Sequence, residues 1–251
     1  MIAELFELQP LAQTDWAHEK ADALLVLLTA AFTPATDTLS NVVAQVLKSG
    51  DLPAKPGQLL DIYRPARLAC ARLILLPTGD TLASDVRKAV AAAVNLIKGS
   101  KPTEITLFFS QSPSPMVLRV ALTALADASY VFTTTKPKAD ARTLAKVKVV
   151  VPDAQDLRLA FEHAVAAITG IEMAKEWGNR PANHATPAKL AQAARSLARL
   201  PRIKCKVRGP KEVAKLGMGA FEAVAQGSDE PLRLIGPELP RRRQVAAASG
   251  A

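Results

Sequence analysis

The sequence predicts a layered α/β protein: an apolar sheet flanked by amphipathic helices. Three observations predict it. Short runs such as ADALLVLL (21–28) and EITLFFS (104–110) read as buried strands, and AKVKVVV (145–151) as a further strand. Between them lie stretches whose apolar residues recur at helical spacing. Apolar residues make up 49% of the chain and aromatics only 4%, so Ala, Val, Leu and Ile must fill the interior.

Taken in order, ELFELQ (4–9) and residues 21–28 open the chain as strands. Thr36 to Lys48 carries Leu39, Val42, Val43 and Val46 on one helical stripe, closed by Gly50. GQLLDIYRP and ACARLILLP (69–77) follow as strands, with TGD turning the chain. Leu82, Val86, Val90, Ala93 and Ile97 line the next helix, for which Gly99 is the expected stop. The strand at 104–110 leads to an apolar helix, SPMVLRVALTALADA, and the strand at 145–151 ends before Pro152. The lysine-bearing loop TTTKPKADARTLAKVK between those two is expected to be a solvated surface segment whose charges need no partner. Alternating strands and helices place one α/β domain at 1–152.

From Asp153 the pattern changes. Leu157, Phe161, Ala164, Ile168 and Ile171 form one stripe along a helix over 153–178, long enough to connect two domains. Thr186 then reads as an N-cap with Pro187 at the first helical position, where its missing N–H costs nothing. RIKCKVRG is a strand with Arg202, Lys204, Lys206 and Arg208 on one face and Ile203, Cys205 and Val207 on the other. Residues 236–251, GPELPRRRQVAAASGA, read as a basic tail that does not pack.

Charge and composition exclude more than they select. The formal charge is +9, spread along the chain without interleaved aromatics, which argues for a basic solvated surface over a nucleic-acid groove. Cys70 and Cys205 are far apart and read as buried thiols in a reducing compartment. The start lacks the basic and apolar regions of a secretory leader, and no apolar run reaches the ~20 residues of a membrane span. A cytoplasmic protein with no membrane partner is the expectation. His18, His163 and His184 stand apart from one another, and there is no Gly-x-Ser-x-Gly, Walker loop or Gly-x-Gly-x-x-Gly. No complete catalytic kit is present: the catalytic and metal-ligand sets both read as none. Trp177 reads as filling a junction between the domains.

Two stretches carry a resemblance. NRPANHATPAKLA (179–191), with Asn179, Pro181, Asn183, Thr186 and Pro187, resembles the Asn-x-Pro-x-Asn-x-x-Thr-Pro segment of the leucyl aminopeptidases, the cytosol aminopeptidase family. LGMGAFEAVAQGSDEPLRLI (216–235) is similar to the piece that follows, through Gly217, Met218, Gly219, Gly227, Ser228 and Pro231. The resemblance implies a macro-domain-like N-terminal domain at 1–152, a connecting helix at 153–178 and the first elements of a peptidase domain at 179–235. It also implies a cytoplasmic homo-hexameric hydrolase that releases N-terminal amino acids from peptides with Mn²⁺ or Zn²⁺. The metal-holding Lys, Asp and Glu segments of that family lie beyond the point at which this sequence leaves the pattern, Ile235. The chain is therefore expected to be cut short of them, to bind no metal, to be inactive by itself, and to leave apolar faces of 187–235 uncovered. The alternative is a binding or regulatory module that takes nucleic acid or a nucleotide, or joins full-length subunits.

Overall fold

The computed structural model describes residues 4–238 apart from 54, 56, 81 and 137. Two compact units divide the chain, 1–176 and 177–251.

The first unit is a mixed α/β layer structure built on six strands: β1 (Phe6–Pro10), β2 (Ala23–Thr29), β3 (Leu60–Tyr63), β4 (Arg72–Gly79), β5 (Glu104–Phe109) and β6 (Lys146–Val151). Their order across the sheet is β1-β6-β5-β2-β4-β3. All neighbours are parallel except the edge strand β3, which runs antiparallel to β4. The aliphatic runs lie in the middle because both faces of β2, β4 and β5 are covered. Alternate residues of β2 feed two cores: Leu25 and Leu27 one, Leu24, Val26 and Leu28 the other. The first core is closed by α2 (Ala83–Ile97), α3 (Pro115–Ser129) and α4 (Ala154–Gly178), the second by α1 (Thr38–Ser49) and by Trp16, whose ring lies 4.8 Å from that of Phe108.

Helix ends follow from local chemistry. The Asp37 carboxylate accepts from Ser40 N at 2.9 Å to start α1, and Gly50 at φ 78° ends it in the left-handed region that suits glycine. Ser114 caps α3 ahead of Pro115. Several expectations are corrected. Leu82 is not on the buried stripe; it is the N-cap of α2 and 62% exposed, because the helix starts one residue later. The stop is not Gly99, which sits inside a 3-10 turn (Lys98–Ser100); the left-handed residue is Lys101 at φ 51°. Ile171 is exposed, whereas Leu157, Ala164 and Ile168 are buried. The loop before β6 does hold a partnered charge: Arg142 pairs with Glu172 of α4 and donates to the carbonyls of Ser129 and Ala126 at the end of α3.

The second unit contains α5 (Pro187–Leu197), β7 (Lys204–Arg208), α6 (Pro210–Lys215), α7 (Gly219–Ala225) and β8 (Leu234–Glu238). β7 and β8 form an antiparallel ribbon, Val207 opposite Ile235, against which α5 packs. Arg202 lies outside β7, in a turn at φ 66°. β8 runs on through Gly236 and Pro237, so the first three residues of the expected tail are strand; Pro237, which has no N–H, stands opposite Cys205. The rest of that tail lies outside the described residues. Among the described residues of this unit only Ala191 and Val213 are buried. Among all described residues no helix is long and apolar enough to cross a membrane.

Candidate functional site

The motif residues all fall in the second unit, on turns and helix starts. Asn179 follows the last turn of α4, and Pro181 precedes a 3-10 turn, Ala182–His184, that contains Asn183. The Asn183 carbonyl accepts from Lys189 Nζ at 3.0 Å. Thr186 is the N-cap of α5, its hydroxyl accepting from Lys189 N at 3.4 Å, and Pro187 occupies the first helical position. Gly217 takes φ 67°, a conformation costly for any residue with a Cβ. Met218 caps α7, which opens on Gly219. Gly227 lies in the turn after α7, and the Ser228 hydroxyl accepts from Glu230 N at 3.1 Å ahead of Pro231. These residues direct the backbone. None of them carries an acidic or basic side chain, and in this structure they shape turns and helix starts.

Among the described residues no group of three or more His, Cys, Asp or Glu side chains stands together as a metal site would require. His163 on α4 and His184 are exposed, and the exposed His18 meets Asp15 at 2.8 Å. The half-buried carboxylates are held in structural pairs. Asp61 meets Arg72 at 2.5 Å, Asp127 meets Lys175 at 2.5 Å, and Glu176 accepts from Tyr130 and Thr134 hydroxyls. Burial works against the Lys148 ammonium, but Glu19 at 2.6 Å and Glu104 at 3.2 Å outweigh it and hold its pKa above the ordinary lysine value. Asp22 accepts from Thr103 N, Thr103 Oγ1 and Glu104 N, which lowers its pKa and ties the start of β5 beside β2. The Trp177 ring carries the Arg180 guanidinium at 4.1 Å.

Both cysteines are free thiols. Cys70 is buried just ahead of β4, and that burial pushes its thiol up to about 11. Iodoacetamide applied to the native chain is therefore expected to modify half-buried Cys205 and spare Cys70, with both labelled in denaturant, as read by peptide mass.

Sequence reading missed one cluster. Thr29 ends β2, Thr78 stands one residue before the end of β4 and Ser110 directly follows β5, all three lining one cavity. The visible signal was a hydroxyl closing each aliphatic run, in LLVLLT, LLPT and TLFFS.

Comparison with known proteins bears on both units. The sequence pattern of the cytosol aminopeptidase family, N-terminal domain, matches residues 25–139, and that of the same family's catalytic domain matches residues 172–243. A protein of Albidiferax ferrireducens described as "Probable cytosol aminopeptidase" is 55% identical over 230 residues, covering 92% of this chain and 48% of that protein. One of Verminephrobacter eiseniae with the same description is 49% identical, covering 92% of this chain and 44% of its own length. The chain spans about half the length of the curated relatives it matches. Among solved structures, a point mutant of tomato leucine aminopeptidase superposes with a TM-score of 0.75 at 18% identity, over 95% of this chain and 51% of the other. The bottromycin maturation enzyme BotP does so at 0.66 and 22%, over 86% and 45%. At these identities the structural likeness speaks for the fold.

Proposed function

Since the chain belongs to the cytosol aminopeptidase family, we propose that it is the N-terminal domain and the opening elements of the catalytic domain of a metal-dependent peptidase that releases N-terminal amino acids. The observation that carries this is the ordered match to both family domains over about half the relatives' length. We assign the first unit the macro-like role of the N-terminal domain, and the whole enzyme a cytoplasmic, homo-hexameric assembly acting on peptides. Mn²⁺ or Zn²⁺ would polarise the peptide carbonyl and activate water in that enzyme. The described residues of this chain do not fit such a centre: they hold no group of three potential ligands, and their half-buried carboxylates are engaged with Arg, Lys, Tyr and Thr. Residues 1–251 by themselves are thus proposed to be catalytically silent.

Two measurements test the reading. Purified 1–251 with leucine p-nitroanilide and Mn²⁺ is expected to show no metal-dependent release of nitroaniline; clear turnover overturns the silence. A chimera in which residues 1–238 replace the matching half of the Albidiferax relative is expected to fold and to hydrolyse the same substrate when Mn²⁺ is added. A folded but inactive chimera counts against the family role.

A further inference from the structure

Where α2 and α3 end and β5 begins, the first unit holds a cavity of about 250 Å³. Half-buried Val131 and Pro102 and exposed Ala141 line it, together with Val94 and Leu144, which keep 3% and 7% of their surface. The lining is thus largely apolar and reaches the edge of the first core. An apolar cavity of ~150 Å³ takes a benzene ring, so this one suits a body of roughly ten heavy atoms. Its rim is charged: Lys98, Lys101 and Asp140 are exposed and Arg142 is half-buried.

Donors and acceptors at that rim do not balance. Two helices end here, and free carbonyls at helix ends repel an anion. Those that meet the rim residues are already engaged. On α2 the Val94 carbonyl accepts from Lys98 N, and the Ile97 carbonyl from the Ser100 hydroxyl at 2.7 Å. On α3 the carbonyls of Ala126 and Ser129 accept from Arg142, and that of Ala128 from Lys98 Nζ at 3.2 Å. The Arg142 charge is met by Glu172. An ammonium has three N–H groups, so both lysines keep donors to spare. Among the described residues Lys98 meets no carboxylate, and Lys101 has only Asp140, 3.4 Å away. Two cations therefore face one carboxylate at the mouth of an apolar cavity.

We propose that this cavity binds a small apolar carboxylate, a medium-chain fatty acid anion. Its chain lies against Val131, Pro102 and Leu144, and its carboxylate meets the ammonium groups of Lys98 and Lys101. Charge complementarity selects this occupant over a neutral or cationic one of the same size. The proposal does not depend on the peptidase reading, because every residue in it belongs to the first unit.

The test is a titration of the full chain with octanoate, kept below its micelle-forming concentration and followed by methyl and amide NMR. Saturable shifts are expected at Val94, Val131 and Leu144, and octylammonium is expected to produce none. Replacing both lysines, Lys98→Gln with Lys101→Gln, should weaken octanoate about tenfold, whereas Asp140→Asn should tighten it about threefold. Val131→Trp, which fills the space, should abolish the shifts while amides away from the cavity keep their positions. The proposal is overturned if octanoate leaves these methyls unmoved or octylammonium binds as well as octanoate. It is equally overturned if the double lysine variant binds unchanged, or if the shifts lie only around Leu200, Leu216 and Val224.

Discussion

A nonspecific protease applied briefly to the folded chain is expected to digest residues 187–238 and leave a resistant fragment ending near Glu176. The reason is a difference in interior. The first unit buries long aliphatic side chains on both faces of six strands, whereas the described residues of the second bury only Ala191 and Val213. Leu200 and Leu216 remain 52% and 53% exposed and Val224 85%, so the leucines forgo about half, and the valine most, of the ~1.5–3 kcal/mol that full burial would contribute. The β7–β8 ribbon has only two strands and one short helix, α5, packed against it, too little to be firmly stable. Amides of β7 should then exchange through openings of about 1–3 kcal/mol, while those of β2 and β5 exchange only with global unfolding at about 5–15 kcal/mol. Equal protection of Val207 and Val26 in a hydrogen-exchange experiment would refute this.

Replacing Arg142 by alanine should destabilise the first unit by about 2–4 kcal/mol. Its guanidinium, 18% exposed, joins three elements at once: it pairs with Glu172 of α4, itself 16% exposed, and donates to the carbonyls of Ala126 and Ser129 at the α3 C-terminus. Removing it leaves a half-buried carboxylate without its cation and strips two helix-end carbonyls of a donor, where positive charge is also favoured by the helix dipole. The midpoint of thermal unfolding should fall by about 5–12 °C. Lysine at the same position should recover less than half, since it lacks the planar fork that serves three acceptors. The exposed pair Lys101–Asp140, 3.4 Å apart and 60% and 84% exposed, provides the contrast. Its removal should change stability by less than about 0.5 kcal/mol.

How far the sequence announced this structure varies with the kind of information. Strands buried on both faces cannot avoid being continuous aliphatic runs, so β2, β4 and β5 were plain, and from them the α/β class. Caps are equally local: Thr186-Pro187, Ser114-Pro115 and Asp37 with Gly50 mark ends through hydrogen bonds a few residues long. Pairings between distant residues leave no such trace. Nothing near Arg142 announces Glu172 thirty residues on, and a loop rich in charge looks solvated until the helix it clamps is in place. Leu82, Ile171 and Arg202 were misplaced because periodicity extrapolates past the residue at which a helix or strand begins or leaves its neighbours. In the Asn179–Pro187 segment, the Thr186-Pro187 helix start was legible as a backbone device. Thr29 and Ser110, eighty residues apart, come to one end of the sheet only because β2 and β5 are neighbours there.

The edge strand β1 pairs only with β6, Phe6 beside Val147 and Pro10 beside Val151. Made before β6, β1 thus has to wait for nearly the whole unit to be synthesised before it finds this neighbour. Until then its apolar side is open to chaperones, and nascent chains halted before codon 146 should be far better clients for them than chains halted after codon 176.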